Sequence, residues 1–203
     1  MSHRLFPDDV LFLQRLLSCC GLYHHRLDGD YGPRTDAAEA EFEHRCEAIA
    51  EAEGRFDARS EGNIRSLQLD AQKLARSSLA AIRQRLAGDG MDARIISGTR
   101  TYAEQNALYR QGRGGNPGNR VTNARGGQSW HNFGLAWDIG IFDGGAYVTK
   151  GGPYAQVSSA GKVAGVEWGG DWPGFPDPPH YQKVPPGQKI SAARTVFESG
   201  GRA

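Results

Sequence analysis

Two histidines and two aspartates in the second half of this chain have the types and settings from which hydrolytic chemistry is built: His131, Asp138, Asp177 and His180. The run Ser129-Trp130-His131-Asn132-Phe133-Gly134-Leu135-Ala136-Trp137-Asp138-Ile139-Gly140-Ile141 alternates cleanly past Gly134. Leu135, Trp137, Ile139 and Ile141 fall on one face of a strand, while Ala136, Asp138 and Gly140 fall on the other. A carboxylate in mid-strand is costly to bury unless it is paired or coordinates a metal. Its very small neighbours leave room for an ion and a substrate. His131 lies just before the strand, where a bend at Gly134 can swing its imidazole toward the same ion. His180 follows the Pro-restricted run Phe175-Pro176-Asp177-Pro178-Pro179, with Asp177 three residues ahead of it. Two His, one Asp and an open fourth position suit a catalytic zinc site. A carboxylate beside the attacking water is what metal-assisted hydrolysis needs. A lone histidine is more often packed than ligating, so on spacing alone the metal reading and the packing reading stand level.

These residues need elements to position them. Val10, Leu13, Leu16 and Leu17 repeat at helical spacing, and Gly21 can end that helix. The turn-rich knot Leu27-Asp28-Gly29-Asp30-Tyr31-Gly32-Pro33 follows, and Thr35 is placed to cap a second helix carrying Ala37, Ala38 and Phe42. Residues 46–63 extend that helix and then read as a linker around Gly54 to Gly62. Leu67, Ala71, Leu74, Ala75, Ser78, Leu79, Ile82 and Leu86 trace one long helical stripe, stopped by Gly88 to Gly90. Ala93 to Ser97 reads as a short strand. Thr101-x-x-Glu104 is a capping-box pattern that predicts a helix from Tyr102 to Gln111. A loop rich in Gly, Asn and Arg then runs to Gly127.

Composition narrows the class. The chain has 203 residues, 38% of them hydrophobic and 23% charged, which fits a globular protein with one good core, or a modest catalytic domain plus a small appendage. It lacks a run of about 18 apolar residues, so no membrane span is expected. Met1 to Asp9 show no basic head followed by an apolar stretch, so synthesis in the cytoplasm without a signal peptide is expected. Cys19, Cys20 and Cys46 have no Cys-x-x-Cys spacing and read as small core hydrophobes, not a thiolate metal site. Through Asp57 there are six basic and twelve acidic residues; after it there are 18 basic and 11 acidic. The basic remainder suits an anionic polymer as partner, or is simply a solvated surface.

Two resemblances sharpen this reading. Leu13-Gln14-x-Leu16-Leu17, Gly21, Asp28-Gly29-Asp30-Tyr31-Gly32-Pro33-x-Thr35 and Phe42 resemble the peptidoglycan-binding helical repeat appended to many cell-wall enzymes. The alternative for this segment is a packing appendage that binds nothing. The second resemblance rests on an ordered set of motifs. It opens with Ser97-Gly98-x-Arg100-Thr101-x-x-Glu104-Gln105-x-x-Leu108-Tyr109-x-x-Gly112-Arg113 and continues with Val121-Thr122, Gly127 and Ser129-x-His131-Asn132-x-Gly134-x-Ala136-x-Asp138. It closes with Glu167-Trp168-Gly169-Gly170-Asp171-Trp172 and Asp177-x-Pro179-His180. The set is similar to the zinc D-Ala-D-Ala carboxypeptidase and L-alanyl-D-glutamate endopeptidase family, which includes phage endolysins and shares its fold with the hedgehog signalling domain.

That resemblance implies an α+β fold, with a small antiparallel sheet flanked by helices behind an N-terminal helical module. The expected division is a module and linker over 1–60 and a catalytic domain over 61–203. His131, Asp138 and His180 are implied as Zn²⁺ ligands and Asp177 as the general base. Arg100 is implied to steady the oxyanion, and Ser129 to line the substrate site. The implied activity is hydrolysis of an amide bond in the peptidoglycan stem, most simply between L-Ala and D-Glu. A D-alanyl-D-alanine carboxypeptidase is the alternative, and a non-catalytic wall-binding protein the alternative of another class. Peptidoglycan is the implied partner, with no nucleic acid. An immunity protein or delivery machinery is left open, as is the route by which a leaderless enzyme reaches the wall, by release as a lysin or by delivery. Glu167 and Asp171 read as structural partners of the tryptophans, Tyr181 as a packing residue or a substrate contact, and His24, His25 and His44 as surface or packing residues.

Overall fold

The computed structural model describes residues 6–149, 151–184 and 188–201. Residues 1–5, used above in the leader reading, lie outside these ranges. Helix α1 (Pro7–Cys19) opens on a proline with Asp8 and Asp9 in its first turn, where acidic groups face the positive end of the helix dipole. Gly21 ends it in the left-handed conformation, and the Leu22 amide reaches back to the Leu17 carbonyl at 2.9 Å.

Helix α2 (Pro33–Glu53) begins two residues before the expected cap. Thr35 therefore sits inside its first turn, where its hydroxyl donates to the Asp30 carbonyl and accepts from Gln14 Nε2, each at 3.3 Å. Gln14, fully buried on α1, ties down the whole knot. Its amide oxygen accepts from the Asp28 and Gly29 amides at 3.0 Å, and its Nε2 donates to Asp28 Oδ1 at 2.9 Å. A buried amide with this many partners fixes a turn that no apolar contact would specify.

The expected linker is partly a helix, α3 (Ala58–Arg65), capped by the Asp57 carboxylate accepting from the Ser60 amide at 3.0 Å. Helix α4 (Leu69–Leu86) buries Ala71, Ala75, Leu79, Ile82 and Leu86 as its stripe predicts. Strand β1 (Met91–Ser97) leads into helix α5 (Tyr102–Arg110), whose Thr101 and Glu104 form the full capping box. Then come β2 (Ala136–Asp143), β3 (Ala146–Val148), α6 (Gly152–Gly161), β4 (Val166–Trp168), β5 (His180–Lys183) and α7 (Ile190–Glu198).

The fold is α+β. The sheet runs β1-β2-β5-β4, with β3 sharing an edge of β2 with β5, and each pairing is antiparallel. Strand β2 is central because its Trp137, Ile139 and Ile141 are fully buried. The core joins them to Ile95 and to the α4 stripe. Helix α6 packs by close approach: a Cβ on Gly161 would meet the Tyr181 ring at 2.4 Å, and Ser78 of α4 donates to the Gly161 carbonyl at 2.8 Å.

Contacts group the chain into two units. One gathers Met1–Arg45, Arg100–Gly134 and Gln188–Ala203. Its centre is aromatic: Phe197 lies 5.3 Å from Phe12 and 5.4 Å from Phe133 between ring centroids, with Tyr102 alongside at 6.4 Å. The other gathers Cys46–Thr99 and Leu135–Gly187 and contains the sheet. Cys46 is buried as expected, whereas Cys19 and Cys20 are half-buried. Among the described residues no helix is long and apolar enough to cross a membrane.

Candidate metal centre

Register builds the site. Asp138 on β2 is paired directly with His180 on β5, so their side chains leave the same face of the sheet. The carboxylate Oδ1 lies 3.3 Å from His180 Nδ1. His131 arrives by a different route, on the short 3₁₀ turn Trp130–Phe133. Gly134 closes that turn at φ 68, the bend the sequence predicts, and its amide bonds back to the His131 carbonyl at 3.3 Å. One ligand atom from each of His131, Asp138 and His180 lies within 4.8 Å of the others. His131 is 1% exposed and His180 5%, while Asp138 is half-buried.

This donor set fits a divalent cation. Two imidazoles and one carboxylate converge from three segments, and the protein supplies three ligands, leaving a position for water or substrate. Ala136 and Gly140 flank Asp138 on β2, and both are buried: a Cβ on Gly140 would meet Ile96 Cγ2 at 2.7 Å. His180 is pulled two ways. Burial disfavours its charged form, but the hydrogen bond and charge of Asp138, with help from Gln182 and Asp177, raise its pKa above the ordinary histidine value.

Asp177 is held beside His180 by a turn in which the His180 amide donates to the Asp177 carbonyl at 3.1 Å. The Asp177 amide in turn donates to the Gly169 carbonyl at 2.9 Å. Only glycine fits at 169, because a Cβ there would meet the Asp177 carbonyl oxygen at 2.7 Å and His180 Cβ at 2.9 Å. Trp168 staples the same turn through Nε1 to the Pro178 carbonyl at 2.7 Å, and the Trp172 ring leans on His180 at 4.9 Å between centroids. The motif Glu167 to Trp172 thus packs the turn that carries Asp177.

Arg100 follows β1 and is half-buried. Its amide donates to the His131 carbonyl at 3.1 Å, and its Nη1 to Gln105 Oε1 at 3.2 Å. Ser129 precedes the 3₁₀ turn and accepts the Asn132 amide at its carbonyl, 2.9 Å. Its hydroxyl makes no cap bond to that turn.

Several supporting residues carried no assigned role in the sequence. Asn132 donates to the Arg100 carbonyl at 2.9 Å and accepts from the Gly127 amide at 3.0 Å, locking Arg100 and the loop end to the His131 turn. Buried Gln105 bonds Arg100 and the Ala124 carbonyl. Gln182 lies next to His180, and Glu167, read from the sequence as a structural partner of the tryptophans, accepts from Gln182. The positions of Asn132 and Gln105 within the motifs were the only signal for them. Tyr181 points away from the centre, 1% exposed against Gly161, and is a packing residue. His24, His25 and His44 are exposed.

The chain is similar to known cell-wall peptidases. The D-alanyl-D-alanine carboxypeptidase family model matches residues 122–183. The chain is 36% identical over 128 residues to the peptidoglycan L-alanyl-D-glutamate endopeptidase CwlK of Bacillus subtilis (strain 168), covering 57% of this chain and 75% of that protein. Among solved structures, the Serratia marcescens L-Ala D-Glu endopeptidase ChiX aligns at 30% identity and a TM-score of 0.48, covering 65% of this chain and 91% of that one.

Proposed function

Because the chain belongs to the D-alanyl-D-alanine carboxypeptidase and L-alanyl-D-glutamate endopeptidase family of metal-dependent peptidoglycan peptidases, we propose that it is a zinc endopeptidase cutting the stem peptide between L-Ala and D-Glu. The observation that carries the reading is the convergence of His131, Asp138 and His180 within 4.8 Å. The choice of bond follows the activity for which CwlK, the relative at 36% identity, is named.

In this proposal His131, Asp138 and His180 hold Zn²⁺. The ion, when bound, polarises the scissile carbonyl and acidifies the attacking water. Asp177 accepts the proton from that water and delivers it to the leaving amine, so one carboxylate serves as base and then acid. The Arg100 guanidinium offsets the negative charge that grows on the carbonyl oxygen. Gln105 steadies that guanidinium, and Asn132 holds its backbone against the His131 turn. Ser129, next to that turn, lines the substrate site. Residues 1–60 serve as a wall-binding module, a reading supported by a cavity of about 390 Å³ lined by Leu22, His24, His25, Pro33, Arg34 and Glu41. The enzyme acts on the cell wall after release or delivery.

The bond is tested with two synthetic substrates, a stem peptide containing L-Ala-γ-D-Glu and one ending in D-Ala-D-Ala. Products with a new D-Glu amino terminus support the endopeptidase. Release of single D-Ala would replace it with the carboxypeptidase reading.

A further inference from the structure

The face of the sheet that carries Asp138 and His180 continues to two residues with no part in the proposed chemistry. Strand alternation puts Gln182 on the same face as His180. Register then places Ala136 of β2 on one side of Gln182 and Glu167 of β4 on the other. Ala136 is too small to compete for the space, and Gln182 is 3% exposed. Its Oε1 lies 2.8 Å from His180 Nε2, and its Nε2 donates to Glu167 Oε2 at 3.2 Å.

The donors and acceptors in the row constrain where its protons sit. An ionised carboxylate only accepts, so it takes the NH₂ end of the amide. That leaves the carbonyl end of Gln182 facing the imidazole. A carbonyl also only accepts, so His180 Nε2 must carry the hydrogen. Asp138 also only accepts, but it lies 3.3 Å from Nδ1 against 2.8 Å between Gln182 and Nε2, so the closer partner holds the one hydrogen of the neutral ring and the lone pair is left on Nδ1. Resting on the metal-site reading above, we propose that Gln182 is a positioning residue that selects the ligating tautomer of His180, and that Glu167 sets the orientation of its amide. The relay touches neither substrate nor the reacting atoms. It acts by holding the ring in one tautomer and one rotation before metal arrives, and partners of this kind typically govern metal affinity by about 10- to 100-fold.

Two measurements test this. Long-range ¹H–¹⁵N correlation on the metal-free wild type, at alkaline pH where the ring is neutral, reads the tautomer directly. The Nε2–H form is expected, and the Nδ1–H form would overturn the proposal whatever the variants do. Chelator competition then reads zinc affinity. Gln182→Leu is expected to weaken it by about 10- to 100-fold, and Glu167→Leu to weaken it less and in the same direction. Gln182→Leu binding zinc within about twofold of wild type would also overturn the proposal. A wild type that takes up no zinc would instead sink the metal-site reading, while the tautomer, measured without metal, still decides the role of the amide. If Gln182→Leu fails to fold, the wild-type tautomer remains decisive.

Discussion

Asp177 is held differently from the three candidate ligands. They converge on one point, whereas Asp177 is fixed through its backbone against Gly169 and lies in the turn before His180. In the proposed mechanism, a base held this way can be neutralised without disturbing the ion. Asp177→Asn is therefore expected to lower kcat by about 10²- to 10⁴-fold while zinc content by elemental analysis stays at the wild-type level. Loss of zinc along with activity would make Asp177 a structural part of the site. At this scale the sequence was informative, because His131, Asp138, Asp177 and His180 stand out by type and setting. Gln182 did not stand out. A glutamine two residues after a histidine has no meaning until the register of β4 with β5 brings Glu167 opposite it.

Among the elements, α3 shows where pattern reading failed. Gly54 and Gly62 bracket a mixed-charge stretch that reads as linker, and an eight-residue helix has little intrinsic stability. Tertiary contacts hold it. Ser60 Oγ accepts from the Ile95 amide at 3.1 Å, and Asn63 donates to the Ile95 carbonyl at 2.9 Å, so α3 covers the free edge of β1. Glu61 then locks it to α4 through a two-pronged bond with Arg76, both contacts at 2.7 Å, the Arg76 side chain being fully buried. Burial alone would raise the Glu61 pKa, but Arg76 and the Phe56 amide outweigh it and hold the pKa below the ordinary carboxylate value. The sign follows. A depressed folded pKa stabilises the protein above the ordinary glutamate pKa of about 4.3, and that stability is lost as pH falls through the lower folded value. Glu61→Gln should therefore be less stable than wild type at neutral pH in urea unfolding, with the gap closing toward acid. A gap independent of pH would remove the ion pair from the account. By contrast, the α4 stripe, the alternation of β2 and the Thr101–Glu104 box were legible because each is a local pattern with one physical reading.

At the scale of the whole molecule, the family resemblance pointed to an α+β protein, and the structure has that class. The grouping of early, middle and late segments into one unit was not legible, because it rests on rings far apart in the chain. Phe12, Tyr102, Phe133 and Phe197 meet around α7 with no local pattern to announce them. Phe197, 1% exposed, is central, and Phe197→Ala should cost about 3–5 kcal/mol in urea unfolding. A cost under about 1 kcal/mol would mean that the cluster does not organise its unit. Purified peptidoglycan should be digested with wild type, with wild type after chelation and zinc restoration, and with His131→Ala, the products being read by mass spectrometry. New peptide ends are expected from wild type, with their loss on chelation, their return with zinc, and none from His131→Ala. Digestion that survives both chelation and His131→Ala, or no digestion by folded, zinc-loaded wild type, would contradict the proposed function.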